Sequence, residues 1–82
     1  MLLGLTAITA HLIMADCPTD KPNDPSCIYV VAMDFRGPTS NAMPLCELNA
    51  KFLNPNIAQV PKRHLAARCW SPQQLMKQKT VL

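Results

Sequence analysis

Four cysteines are the residues of this 82-residue chain whose type and spacing could most readily do chemistry: Cys17, Cys27, Cys46 and Cys69. An even number of cysteines in so short a chain favours two disulfides if the protein reaches an oxidising compartment, and three pairings are then possible. A direct bond between Cys17 and Cys27 would close a short loop and contribute about 2 to 3 kcal/mol to stability. Pairing of either residue with Cys46 or Cys69 is equally open.

The same cysteines could bind zinc or act as nucleophiles. Cys46, His64 and Cys69, with one further cysteine, would supply four ligands, but the chain has no Cys-x-x-Cys pair. For catalysis, His11 or His64 could activate a thiol, although a cysteine in a disulfide cannot attack a substrate. No nucleophile elbow, P-loop, dinucleotide fingerprint or HExxH helix is present. We therefore expect a protein that is not an enzyme and holds no metal or cofactor.

The strongest structural signal is the segment 27–35, with the sequence CIYVVAMDF, which is the longest β-branched and aromatic run. Side chains alternate between the two faces of a strand, and here both faces are apolar as far as Asp34. This predicts a core strand over residues 27–35 that other elements cover. Hydrophobic residues make up 49% of the chain and charged residues 16%, a composition that argues against disorder. The hydrophobic core of so small a domain is limited.

Three short helices are predicted after this strand. The first covers residues 44–53, where apolar residues recur at three and four residue steps opposite the charged pair Glu47 and Lys51. The second covers residues 61–70 and starts at a proline, and the third covers residues 72–81 after a sequence that resembles a capping box. The predicted fold is α+β: a small disulfide-stapled domain with one or two strands packed by two or three short helices. The apolar residues of the first helix are Leu45, Leu48, Phe52 and Leu53.

The amino-terminal segment 2–14 contains no Asp, Glu, Lys or Arg. It is too short to cross a bilayer as a helix, which takes about 20 residues. Residues 1–15 are therefore either a targeting or anchoring segment, such as a signal peptide cleaved before Asp16, or the first packed element. If this is a targeting or anchoring segment, residues 2–14 would be the part of the chain that associates with a membrane. Residues 16–82 would then form a single small domain.

The charges are distributed unevenly. Residues up to Phe35 contain one lysine and four aspartates, whereas the rest of the chain contains seven basic residues and one glutamate. A basic second half could meet an anionic surface or nucleic acid. Trp70 is a candidate interface anchor. The candidate contacts to an anionic partner are Lys62, Arg63, Arg68, Lys77 and Lys79.

Together these features predict a non-enzymatic small interaction protein that is stabilised by disulfides. The apolar amino terminus and the cysteine- and proline-rich segment after it favour a secreted or extracytosolic location, with or without membrane association. A protein is the partner that we expect first. The alternative is a basic subunit of a larger assembly that can bind nucleic acid.

Overall fold

A computed structural model describes residues 7–21 and 24–78 of the chain. Within these residues the strands form one antiparallel sheet with the order β2-β1-β3, so that β1 is central. The elements are β1 (Ile8–Pro18), β2 (Ile28–Arg36), α1 (Thr39–Leu53), a 3-10 turn (Asn54–Asn56), β3 (Arg63–Trp70) and α2 (Pro72–Met76). The α+β class is thus confirmed, with more strands and less helix than predicted.

β1 is central because both of its faces are apolar. Ala10 and Leu12 pack on one face of the sheet, against α1, and this face is called the α1 side. Ile13 and Ala15 pack on the other face, where Leu75 of α2 covers them, and this face is called the α2 side. From Ile8 onward, the amino-terminal apolar segment is therefore the middle of the sheet. Residues 1–6 lie outside the described part of the chain.

The strand predicted over residues 27–35 is present as β2, but only part of it lies in the core: Cys27, Tyr29 and Phe35 are buried, and the expected cover on both faces is incomplete. It is an edge strand, and α1 lies mainly over β1 and β3. The pairing with β1 also passes from Leu12 and Met33 directly to Ile13 and Val31, so that Ala32 forms a bulge. Three side chains on the α1 side of β2, those of Ile28, Val30 and Met33, remain accessible to solvent.

α1 begins five residues before the predicted start of the helix over residues 44–53 and ends where predicted, at Leu53. Gly37 makes the turn between β2 and α1 with a φ of 107°, a conformation that side-chain-bearing residues rarely adopt. Pro44 falls within the second turn of the helix. The predicted helix is therefore confirmed and is longer than its apolar spacing indicated.

The helix predicted over residues 61–70 is wrong, because residues 63–70 form β3. Eight residues of β3 pair with β1, from Arg63 opposite Pro18 to Trp70 opposite His11. Backbone pairing and a disulfide at Cys69 outweigh the local helical pattern, which is a weak determinant on its own. Tertiary context therefore decides this segment.

The last predicted helix is confirmed at its start. In α2, the Ser71 hydroxyl accepts from the Gln74 N–H at 3.2 Å, and the Ser71 N–H donates to the Gln74 side chain at 2.7 Å. This is the capping box that the sequence indicated. α2 ends at Met76, short of the predicted end at residue 81, and residues 79–82 lie outside the described part of the chain.

Candidate interaction surface

Two disulfides join the four candidate cysteines. Cys17 is bonded to Cys27, which closes the β1–β2 connection, and Cys46 is bonded to Cys69, which ties α1 to β3. Bonded sulfurs cannot serve as thiolate ligands for zinc or as nucleophiles. Disulfides of this kind are typical of an environment outside the reducing cytosol.

α1 turns its small side chains toward the sheet. Ala42, Cys46 and Ala50 are buried and follow one another at four-residue steps, so they lie on one face of the helix. The disulfide from Cys46 to Cys69 holds this face against β3. Small side chains also let the helix backbone come close to the sheet. The rotation of α1 about its own axis is therefore fixed by a covalent bond and by steric fit.

The large apolar residues of α1 point to solvent as a result. Leu45, Leu48 and Phe52 have 51%, 49% and 68% of their surface exposed. Their spacing places them on one stripe of the helix, which we call the α1 stripe. Such a stripe normally faces a core, and contact with another molecule could bury it. Full burial of a Leu or Phe side chain is worth about 1.5 to 3 kcal/mol.

β2 carries a second group of exposed apolar side chains. Ile28, Val30 and Met33 have 39%, 42% and 47% of their surface exposed. They lie on the α1 side, because Met33 is two residues before the core residue Phe35 and Val30 pairs with Met14, which packs on the same cluster. The α1 side of the sheet is thus only partly covered by α1.

The two outer edges of the sheet differ. On β3, the Asn54 amide donates to the Ala67 carbonyl at 3.2 Å and accepts from the Ala67 N–H at 2.7 Å. Gln59 makes the same pair of bonds to Leu65, at 2.9 and 2.8 Å. Each side-chain amide replaces the two bonds of a neighbouring strand, so this edge is closed. No described backbone group pairs with the outer edge of β2.

The basic residues that were candidates for an anionic partner are dispersed. Arg63 and Arg68 lie on opposite faces of β3, because side chains alternate along a strand. Arg63 is also engaged within the chain: its Nε donates to Asp16 Oδ1 at 2.7 Å and its Nη2 donates to the Asp16 carbonyl at 2.8 Å. Of the others, Lys62 precedes β3, Lys77 follows α2, and Lys79 lies outside the described residues.

Trp70, the candidate interface anchor, is half-buried at the end of β3. Its ring lies 4.6 Å from that of Tyr29, centroid to centroid, with the two planes tilted by 58°. Both rings belong to the cluster on the α2 side of the sheet, together with Ile13 and Leu75. In this structure Trp70 contributes to the packing between the sheet and α2.

Sequence reasoning missed a pairing of His11 with Asp34. His11 is buried in β1, and its Nδ1 lies 2.6 Å from Asp34 Oδ1 on β2. The two residues are opposite each other in the strand register, which the sequence alone could not supply. A different carboxylate, Asp24, accepts hydrogen bonds from Ser26 in the turn before β2, and these bonds lower the pKa of Asp24 below its usual value.

His64, the other histidine, lines a shallow cavity of about 310 Å³ together with Pro18, Thr19 and Asp20. This is the lower end of the range for small-molecule sites. His64 lies opposite Cys17 in the strand pairing, and that cysteine is oxidised. The arrangement therefore offers a histidine and a carboxylate at the surface without a thiol nucleophile beside them.

No protein-family model, characterised protein or solved structure matches this chain. Among the described residues, no helix is long and apolar enough to span a membrane.

Proposed function

We propose that this chain is a non-enzymatic interaction protein that works outside the cytosol and contacts a protein partner through the α1 stripe. The observation that carries the proposal is the exposure of Leu45, Leu48 and Phe52 on one face of a helix whose rotation is fixed by a disulfide. An amphipathic helix that presents an apolar stripe commonly docks in a hydrophobic groove of a partner. The expected partner surface is therefore an apolar groove.

The charges around the stripe suit a contact of this kind. Glu47 and Lys51 are one turn apart on another part of α1, and both are exposed. A polar rim of mixed sign beside an apolar centre is typical of protein interfaces. The dispersed placement of Arg63 and Arg68 gives the alternative, a basic subunit that binds nucleic acid, less support.

The working form should retain the amino-terminal apolar segment from Ile8 onward. Cleavage before Asp16 would remove most of β1, to which both other strands pair. It would also remove Leu12 and Ile13, which are among the most deeply buried side chains of the described chain. We therefore propose that secretion or membrane association of this protein does not involve cleavage at that position.

Site-specific photo-crosslinking in cells of the source organism tests the partner surface. A benzophenone amino acid is placed at Phe52, on the stripe, and in a control variant at Glu47. We expect one discrete adduct from position 52, and we expect the additional substitution Leu48→Asp to abolish it. Equal labelling from both positions, or no adduct at position 52, would contradict the proposed surface.

A further inference from the structure

Among the described residues, no backbone group pairs with the outer edge of β2, whereas the outer edge of β3 is closed by the side-chain amides of Asn54 and Gln59. An open edge presents a row of hydrogen-bonding groups with which another extended backbone can pair. We propose that two copies of this chain pair antiparallel through their β2 edges. The product is one continuous six-stranded sheet.

The strand pairing shows which backbone groups are available. In an antiparallel sheet the N–H and C=O of one residue point to the same neighbour, and successive residues alternate in direction. The backbone N–H and C=O of Ala67 point outward to Asn54, so those of its partner Met14 point toward β2, where Met14 pairs with Val30. The backbone N–H and C=O of Val30 therefore point inward, to β1. Tyr29 and Val31 direct their backbone groups to the open edge.

A register that pairs Tyr29 with Val31 of the second copy uses these groups on both chains. It also places Val30 opposite its own equivalent at the centre of the contact. The exposed apolar side chains Ile28 and Val30 then form a row across the interface on the α1 side. A second copy supplies an uncharged, β-branched strand, and cross-strand pairs of such residues stabilise sheets.

The charge distribution of β2 suits the antiparallel arrangement of two copies. The residues that pair in the register centred on Val30 belong to the segment 28–31, with the sequence IYVV, which carries no charge. No like charges therefore meet at the centre of the contact. Asp34, the nearest charged residue of β2, is held by His11 at 2.6 Å.

The expected contact is short. The bulge at Ala32 interrupts the edge, and such bulges limit pairing with further strands. Regular pairing is therefore confined to about four residues on each chain, fewer than in an average strand. An interface of this size is below the about 1,200 Å² of a stable complex, so we expect an equilibrium between monomer and dimer.

Sedimentation equilibrium over about 10 μM to about 1 mM protein measures this equilibrium for the oxidised chain. Val30→Lys places two like charges opposite each other, and we expect it to lower the association constant by about tenfold or more. Leu48→Lys is the matched control on the α1 stripe, since both replaced side chains are about half exposed. It should dimerise like the unmodified chain.

Hydrogen exchange on the unmodified chain gives a second test that needs no variant to fold. The amides of Tyr29 and Val31 should gain protection as the concentration rises, and the amide of Ala67 should not change. A chain that stays monomeric at about 1 mM, or one whose dimer responds equally to both lysine variants, would overturn the proposal. Amides of β2 that gain protection only when a foreign peptide is added, and not when the concentration of the chain itself rises, would also overturn it.

The outcomes also separate this proposal from the proposed function. Val30→Lys should weaken self-association by about tenfold or more but leave crosslinking from position 52 unchanged. Leu48→Lys should leave self-association unchanged but abolish crosslinking from position 52. A negative result for self-association therefore leaves the proposed partner contact standing, and a negative result for crosslinking leaves the proposed dimer standing.

Discussion

Single side-chain amides stabilise the edge of β3. Asn54 both donates to and accepts from the backbone of Ala67, so Asn54→Ala leaves two backbone groups without protein partners. We expect a loss of about 1 to 2 kcal/mol in the free energy of unfolding, measured by urea denaturation of the oxidised protein. Asn56→Ala is the control, because the Asn56 amide makes one exposed bond to the Phe52 carbonyl. If both variants lose equal stability, the Asn54 amide does not act as a strand mimic.

The turn before β2 contains a carboxylate with a specific pH dependence. Hydrogen bonds from Ser26 depress the pKa of Asp24 below 3.8 in the folded state. Its contribution to stability is therefore present above that pH and is lost as the pH falls through the folded pKa. Titration by NMR should show a low pKa for Asp24 that rises toward 3.8 in Ser26→Ala. An unchanged pKa in that variant would contradict this assignment.

At the scale of elements, the rotation of α1 is the feature that the sequence did not reveal. The spacing of Leu45, Leu48 and Phe52 correctly predicted a helix with an apolar stripe. It could not show that the stripe faces solvent, because local periodicity contains no information about the partner of Cys46. The small residues Ala42 and Ala50 form the face that is buried instead.

Two substitutions test this rotation directly. Leu48→Ala should change the free energy of unfolding by less than about 0.5 kcal/mol, since the side chain is half exposed. Ala42→Leu should cost about 1 to 3 kcal/mol, because it forces extra volume between α1 and the sheet. Thermal denaturation of the oxidised variants gives both values. The opposite order of the two costs would mean that the stripe faces the core.

The two disulfides should contribute unequally. They are separated by 10 and 23 residues, and a longer closed loop restricts the unfolded chain more. Loop-closure entropy gives about 2.7 kcal/mol for the first bond and about 3.4 kcal/mol for the second. Replacing Cys46 and Cys69 by alanine should thus destabilise more than replacing Cys17 and Cys27. Loss of the Cys46–Cys69 bond should also raise the hydrogen-exchange rate selectively in α1. An equal rise in rate across the whole chain would mean that this bond does not hold α1 against β3.

At the scale of the whole molecule, the sequence predicted the α+β class, β2, most of α1 and the capping box of α2. Each of these depends on local patterns. The strand β3 was missed because its eight residues are held by pairing with β1 and by the bond at Cys69, both distant in sequence. For residues 1–15 the sequence left two interpretations open, a targeting segment and a first packed element, because an apolar segment without charges fits both equally well. The central position of β1 in the sheet was not predicted.

The candidate surfaces depended even more on tertiary structure. All four cysteines were predicted as disulfide partners, yet their pairing was open. The α1 stripe becomes a surface only because Cys46 pairs with Cys69. The difference between the β2 and β3 edges follows from two side-chain amides whose partners lie in another element. A single sequence contains no signal for such contacts.

Peptide mapping without reductant, on protein isolated from its native compartment, tests the account most directly. Trypsin cuts after Arg36, Lys51, Arg68 and Lys77, while Lys21 is followed by proline and resists cleavage. We predict that peptide 37–51 is linked to peptide 69–77 and that the peptide that ends at Arg36 contains an internal bond. Linkage of the peptide that ends at Arg36 to either of the others would contradict the fold and the exposure of the α1 stripe. Four alkylated thiols would contradict the extracytosolic location as well.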